Sequence, residues 1–220
     1  MKKIVFGFLV VLSQVAYSQT SKKFGDFSSV KAYDRINVTL VKSSENKVEI
    51  SGDDSDVEIV NKNGELKIRM IPTKIMQGDK VSVTVFYENL NEIQASQGSK
   101  ITSEDAVESG ILNITSNEGS ILNLKIEADI LNAKTNSGGI INISGTAKTQ
   151  DVLVNSGANF NGRNLKSEVT SVTTNAGGNA DVYASKTITA TNRAGGNINV
   201  YGSPENRNTK NMLGGKINFR

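Results

Sequence analysis

The second half of the chain alternates apolar and polar positions around a recurring Asn/Gly phrase. From Gly98 the glycine of this phrase returns at residues 119, 138, 157, 177, 195 and 214, in steps of 21, 19, 19, 20, 18 and 19 residues. Three places after each glycine stands an apolar residue: Ile101, Leu122, Ile141, Phe160, Ala180, Ile198 and Ile217. Alternation with a period of two predicts strands that bury one face. Each repeat is therefore predicted to be strand, turn, strand.

The turn residues suit a tight corner that repeats. Such a corner needs positive φ, which Gly adopts freely and Asn tolerates better than most residues. Asn side chains also bond to nearby backbone and can form ladders along parallel strands in register. We therefore expect equivalent corner positions, forming a structural turn ladder, for Asn117, Asn136, Asn155, Asn175, Asn192 and Asn211, with Gly119, Gly138, Gly157, Gly177, Gly195 and Gly214.

Two all-β architectures have strands separated by such turns. An antiparallel sandwich or barrel shows short strands every 8–12 residues or so, but does not require the same phrase at the same phase in every second strand. A parallel β-helix does require it, because equivalent residues of successive coils stack. The spacing favours a right-handed parallel β-helix, or solenoid, with repeats of about 19 residues over 95–220.

Residues 19–94 are also rich in predicted strands but lack the Asn/Gly phrase. Ile36–Leu40 alternates cleanly, and Asn63-Gly64 is a strong hairpin signal between two apolar runs. Residues 74–80 are predicted to be a loop. We expect this segment to form an N-terminal β-rich layer, continuous with the solenoid, that caps its open end, because open ends expose unpaired strand edges.

The first 18 residues have the pattern of a signal peptide. Two lysines precede a short apolar run, and Ala16-Tyr17-Ser18 is a small-x-small cleavage pattern. The run is too short to span a bilayer. We expect cleavage after Ser18, no transmembrane segment after removal of this signal, and export to the periplasm or the cell surface.

Composition excludes several kinds of chemistry. The chain has no His and no Cys, which removes His-based nucleophilic triads, conventional zinc sites and thiol redox chemistry. We expect no cofactor. Loss of Lys2 and Lys3 lowers the formal charge from +3 to +1, so no basic block remains for nucleic acid.

Carboxylates are the remaining candidates for chemistry. Asp54, Asp56 and Glu58 alternate like the start of a calcium loop, but the glycine and terminal glutamate of such a loop are not at the required offsets. A solvated turn is the favoured interpretation, and we expect no metal site. Elsewhere the acids do not recur at one offset of the repeat, so no catalytic pair is indicated.

Several segments together resemble a known family. They are Phe24-x-x-Phe27, Ile36-x-Val38-x-Leu40, Gly64-x-Leu66-x-Ile68, and the Gly-x-Ile-Asn endings at 139–142, 196–199 and 215–218. In this order, with seven turns in phase, the chain from Phe24 to Phe219 resembles the auto-transporter adhesin family described as the head GIN domain. The resemblance implies a β-helix-like fold, a bacterial secreted or envelope protein and a non-enzymatic, adhesive role. It carries over no catalytic or binding residues.

Three functional hypotheses follow. The leading one is an exported, non-catalytic adhesion or binding module at the cell envelope, with a surface polysaccharide or an envelope protein as partner. The second is a lyase or hydrolase that uses carboxylates on one face, and the third is a structural or signalling component whose solenoid edge pairs with another chain. One candidate binding face is the outward set beside the turns: Asn123, Asn142, Asn161, Asp181, Asn199 and Asn218.

Overall fold

The computed structural model describes residues 19–220, so the predicted signal peptide at 1–18 lies outside the described residues. Two short 3₁₀ segments, Asp54–Asp56 and Pro72–Lys80, interrupt an otherwise all-β chain. The strands are β1 (Gln19–Lys23), β2 (Ser29–Ala32), β3 (Asn37–Lys42), β4 (Lys47–Ser51), β5 (Val57–Lys62), β6 (Glu65–Met70), β7 (Ser82–Tyr87), β8 (Glu92–Ala95), β9 (Lys100–Ser116), β10 (Ile121–Thr135), β11 (Ile140–Val154), β12 (Asn159–Thr174), β13 (Asn179–Tyr183), β14 (Thr187–Ala194), β15 (Asn197–Tyr201), β16 (Asn206–Leu213) and β17 (Lys216–Phe219).

The strands stack into two parallel layers that share one core. The layer before each Asn/Gly turn runs β6, β2, β8, the second halves of β9 to β12, β14 and β16. The layer after each turn runs β7, β3, the first halves of β9 to β12, β13, β15 and β17. We call them the first and the second layer. The long strands β9 to β12 pass from the second layer into the first, so the chain coils as a solenoid.

The pairing register confirms the predicted repeat. Equivalent apolar residues pair from rung to rung, as in Leu122 with Ile141 and Ile141 with Phe160. The row continues through Ala180 and Ile198 to Ile217. All but Ile217, at the end of the row, are buried. The chain is a parallel β-solenoid with roughly 19-residue spacing.

The N-terminal segment extends both layers in a permuted order. The β2–β3 rung lies between the β6–β7 rung and the β8–β9 rung. Antiparallel strands follow at this end: β5 beside β6 in the first layer, and β4 then β1 beside β7 in the second. The predicted hairpin is confirmed, with Asn63 and Gly64 both at positive φ. Residues 74–80, predicted as a loop, belong to the 3₁₀ segment that Pro72 opens.

Each regular Asn/Gly corner is a type I′ turn. Ser120 N–H donates to the Asn117 carbonyl at 3.1 Å, and Glu118 and Gly119 have φ of 53° and 69°. Ser137, Ser156 and Ala176 take the position of Glu118 in the next three turns. Asn is thus the first residue of the turn and does not itself adopt positive φ. Of the two expected reasons for Asn at the corner, positive φ is therefore wrong, and the hydrogen bonds of the Asn side chain remain.

Candidate functional site

Four of the predicted corner asparagines form one hydrogen-bonded column. Asn136 Nδ2 donates to Asn117 Oδ1 at 2.7 Å, Asn155 Nδ2 to Asn136 Oδ1 at 2.7 Å, and Asn175 Nδ2 to Asn155 Oδ1 at 2.6 Å. The side chains are half-buried between successive turns. The column joins rungs to one another, which makes it structural.

Asn192 and Asn211 lie one register position earlier than this column. Asn192 pairs with Thr174 and with Asn211. Asn192 is fully buried, and its Nδ2 donates to the Gly196 carbonyl at 2.6 Å. The reason is the sequence spacing, because Asn192 precedes its turn glycine by three residues whereas Asn175 precedes Gly177 by two.

All six turn glycines lie at the corner and have positive φ: Gly119, Gly138, Gly157, Gly177, Gly195 and Gly214. The corner therefore persists in the last two rungs although the asparagine has moved. In those rungs Asn192 and Asn211 each donate to a carbonyl four residues ahead, at Gly196 and Gly215. The side chain stabilises its own turn there, and Asn192 Nδ2 also lies 3.5 Å from the Gly214 carbonyl of the next rung.

The outward asparagines of the second layer form a broken ladder, which we call the amide face. Asn142 donates to Asn123 at 2.8 Å and Asn161 donates to Asn142 at 2.6 Å. After a break, Asn199 donates to Asp181 at 2.8 Å and Asn218 donates to Asn199 at 3.1 Å. A bridging amide still has one N–H and one lone pair to offer. The face is polar, and its members are Asn123, Asn142, Asn161, Asp181, Asn199 and Asn218. Three of them, Asn123, Asn142 and Asn161, line an open cavity of about 470 Å³.

A larger concave feature lies at the opposite corner, where the chain passes from the second layer to the first. This corner groove has a volume of about 670 Å³. It spans five rungs, a length of roughly 20 Å at about 4.8 Å per rung. It is lined by residues 108–110, 127–129, 146–148 and 166–168, with Tyr183 and Ser185.

Pairing register explains the groove's shape. Ser109, Ala128, Ala147 and Ser167 stack in one row, and their small side chains form the floor. The residue before each forms one wall, namely Glu108, Glu127, Thr146 and Lys166. The residue after each lines the other wall, which carries Asp129, Lys148 and Glu168. The groove therefore runs parallel to the solenoid axis.

Ion pairs between rungs neutralise the charges of the wall that carries Asp129, Lys148 and Glu168. Lys148 pairs with Asp129, and Lys186 with Glu168 at 2.7 Å. The pKa of Lys148 is raised by its hydrogen bond to Asp129 and then by the charge of that carboxylate. Glu168 raises the pKa of Lys186 in the same two ways. Because these pairs are exposed, they contribute little to stability and can rearrange around a ligand.

The opposite wall changes character along the groove. Glu108 and Glu127 are exposed and pair in register on adjacent strands, so the expectation that acids do not recur at one offset of the repeat is wrong for these two. Neither takes part in an ion pair among residues 19–220. At the other end Lys166 Nζ lies 3.9 Å from the centre of the Tyr183 ring. Beneath this end the buried Gln150 Nε2 donates to the Tyr183 carbonyl at 2.9 Å and to Thr170 at 3.0 Å.

Two neighbouring carboxylates in a groove are one requirement of a glycosidase. The reaction also needs a carboxylic acid that an apolar, buried environment keeps protonated. Glu108 and Glu127 are both exposed to solvent, so the groove supplies no such environment. No cluster of three or more metal-ligating side chains occurs in the part of the chain that the structure describes.

The carboxylates of the acidic segment considered for calcium form ion pairs with basic side chains. Asp54 pairs with Lys22 at 3.2 Å, Asp56 with Lys74 at 3.5 Å, and Glu58 with Arg69 at 2.7 Å. Hydrogen bonds from the Ser55 side chain and backbone N–H lower the pKa of Asp53, which caps the short 3₁₀ turn. The segment is a solvated turn between strands.

The sequence contained a signal for the groove that strand alternation alone does not reveal. Asp129, Lys148, Glu168 and Lys186 recur at steps of 19, 20 and 18 residues with alternating sign. Opposite charges at the repeat spacing of a parallel solenoid must meet across neighbouring rungs. A small residue precedes each of Asp129, Lys148 and Glu168. A row of small side chains beside a row of charged ones is the pattern of a groove.

The fold and its surfaces define a class of protein: a parallel β-solenoid with an outward amide face and an axial groove. The family model described as "Putative auto-transporter adhesin, head GIN domain" matches residues 26–204, and the chain belongs to this family. No functionally curated protein matches the chain. Among residues 19–220 no helix is long and apolar enough to cross a membrane.

Solved structures share the fold at low sequence identity. A putative adhesin from Bacteroides fragilis is 20% identical with a TM-score of 0.86, covering 92% of this chain and 96% of its own. A putative adhesin from Parabacteroides merdae is 18% identical with a TM-score of 0.71, covering 92% and 95%. A putative lipid binding protein from Parabacteroides distasonis is 15% identical with a TM-score of 0.71, covering 92% and 96%.

Proposed function

We propose that the protein is an exported, non-catalytic adhesion-type module of the cell envelope that binds a polysaccharide chain along the corner groove. The groove itself carries the proposal, because it runs along five rungs and is open along its length. A linear chain of sugars can lie in such a furrow without being enclosed. The adhesin family and the signal-peptide pattern at residues 1–18 support export and an adhesive role.

The chemistry of the groove suits a hydroxyl-rich ligand. Its walls offer carboxylate acceptors and ammonium donors at roughly the rung spacing of about 4.8 Å. The floor of Ser109, Ala128, Ala147 and Ser167 leaves room for the faces of sugar rings. Tyr183 at one end adds an aromatic ring. Sites of this kind combine apolar surface with a few polar groups that fix orientation.

The test uses purified protein spanning residues 19–220 and a panel of cell-surface and plant polysaccharides. Retention of protein on each polysaccharide and release of new sugar ends are measured in the same samples. Thr146→Trp fills the middle of the groove from an exposed strand position and is expected to lower retention at least tenfold. Asn161→Trp places the same side chain on the amide face and is expected to leave retention unchanged.

Three other outcomes would change the conclusion. Retention lost in Asn161→Trp but kept in Thr146→Trp would move the ligand to the amide face and overturn the groove assignment. Steady release of sugar ends that disappears in Glu108→Gln or Glu127→Gln would establish an enzyme. Absence of retention on every polysaccharide would contradict the proposed ligand class.

A further inference from the structure

The last strand of the first layer has a free edge. Within residues 19–220, β16 pairs with β14 on one side and has no strand on the other. All eight of its residues are exposed, whereas β14 alternates with buried positions. An exposed parallel edge is a ready template for pairing with another chain.

The hydrogen-bonding groups at this edge can be assigned. Asn206 N–H donates back to the Lys186 carbonyl at 3.0 Å. In a parallel ladder alternate residues point their N–H and C=O to opposite neighbours. The backbone groups of Arg207, Thr209 and Asn211 therefore face outward from the edge, as an unused row of three donors and three acceptors.

The charge at this end is predominantly positive. Residues 202–220 contain four basic residues, Arg207, Lys210, Lys216 and Arg220, against the single acid Glu205. None of the four takes part in an ion pair among the described residues. Arg207 instead stacks 4.4 Å from the centre of the Phe219 ring. The unpaired cations favour an acidic partner.

Apolar surface lies at the end of the same strand. Met212 and Leu213 are 50% and 78% exposed, and Leu213 has the largest exposed fraction among the exposed large apolar residues of the described chain. Because neighbouring side chains of a strand point to opposite faces, the apolar side chains of an added strand would lie over Leu213, on the face of β16 opposite to Lys210. Backbone bonds give such a complex its affinity, and side-chain contacts give it selectivity.

We propose that the free edge of β16 binds an extended acidic segment of a partner protein by strand addition. The segment alternates acidic and apolar residues, pairs with the backbone of Arg207, Thr209 and Asn211, and sets its carboxylates beside Lys210, on the face of β16 opposite to Arg207. A second copy of this chain fits less well, because its matching edge would bring the same four cations into contact. Basic side chains on an edge strand oppose such self-pairing.

The test measures binding of a fluorescent Glu-Val repeat of eight residues by anisotropy, with the full chain from residue 19. A Lys-Val repeat and a Glu-Val repeat with N-methylated valines serve as control peptides. The acidic repeat is expected to bind at least tenfold more tightly than either control. The binding is expected to weaken with salt, because exposed charges are screened.

Two variants and one matched control locate the site. Thr209→Pro removes an N–H that points to solvent, which an edge strand tolerates, and is expected to lower peptide affinity at least tenfold. Lys210→Glu is expected to do the same through charge. Lys134→Glu lies in the same outward row four rungs away and is expected to bind as the parent does.

Equal binding by the parent, Thr209→Pro and Lys210→Glu would overturn the proposal, as would equal affinity for the acidic and basic repeats. A concentration-dependent dimer of the parent chain that Thr209→Pro dissolves would assign the edge to a second copy instead. Sedimentation of each variant without peptide distinguishes that result, and thermal unfolding shows that each variant is folded.

Discussion

At the scale of single residues, the two glycines of the pair Gly138-Gly139 have different tasks. Gly138 has φ of 71°, and a Cβ there would meet nothing within 4 Å. Gly139 has ordinary φ, but its Cβ would press into the Ser116 carbonyl of the preceding rung. The first glycine supplies the turn geometry, and the second lets two rungs approach closely.

Alanine at each glycine of this pair separates the two tasks. Gly138→Ala is expected to cost about 1 kcal/mol, the strain of a left-handed residue. Gly139→Ala is expected to cost about 2–3 kcal/mol, because overpacking shifts the backbone of the neighbouring rung. Denaturant unfolding of both variants measures the two free energies. A larger loss for Gly138→Ala would contradict this division.

At the scale of elements, stacked amides join turns that strand pairing alone would leave independent. Asn155 lies within the hydrogen-bonded column of asparagines at the Asn/Gly turns. It donates a hydrogen bond to Asn136 and accepts one from Asn175. Both hydrogen bonds are lost if its side chain is removed. Each such bond contributes about 0.5–1.5 kcal/mol net.

Asn155→Ala is therefore expected to lower the free energy of unfolding by about 1–2 kcal/mol. Asn164→Ala is the matched control, because Asn164 is exposed on the same solenoid, and its change is expected to stay within about 0.5 kcal/mol. Thermal or denaturant unfolding gives both values. Equal losses in the two variants would show that the column adds nothing to ordinary polar surface.

Much of the element level follows from the sequence because a parallel stack repeats its own alternation. The apolar row from Ile101 to Ile217 could be predicted for this reason. Asn192 could not be placed, since one extra residue between it and Gly195 moves it into the interior. Predicting the corner groove from the sequence would have required a comparison of charges across repeats instead of along one strand.

The N-terminal order of strands also exceeds what local pattern can predict. Nothing in the alternation of β2 and β3 says that their rung lies between two rungs formed later in the chain. That order depends on long-range pairing, which hydrophobic periodicity does not encode. The hairpin at Asn63-Gly64 was accessible because its turn chemistry is local.

At the scale of the whole molecule, one buried core joins the permuted N-terminal rungs to the regular repeat. Tyr87, at the end of β7, is 1% exposed within this core. Burial raises the pKa of Tyr87 to about 12, from an ordinary value of 10.0. Tyr33, on the neighbouring rung, also has a pKa raised by burial. Because the pKa values of Tyr87 and Tyr33 are raised in the folded chain, the free energy of unfolding of the solenoid depends on pH in the alkaline range.

The sign of that coupling follows from the raised pKa. The neutral phenol is favoured in the folded chain, so its contribution is fully present below pH 10 and is lost as pH rises from 10 to about 12. We expect a loss of about 2–3 kcal/mol from Tyr87 over this interval. Chemical denaturation at a series of pH values measures it.

The matched comparison is Tyr87→Phe, which keeps the ring and removes the titrating hydroxyl. Lysines in ion pairs, such as Lys31 with its raised pKa, also lose their charge at alkaline pH, so the difference between parent and variant isolates Tyr87. Parallel pH curves for the two proteins would contradict the assignment. If strand circular dichroism and tyrosine absorbance report one midpoint, the N-terminal rungs and the repeat unfold as a single unit.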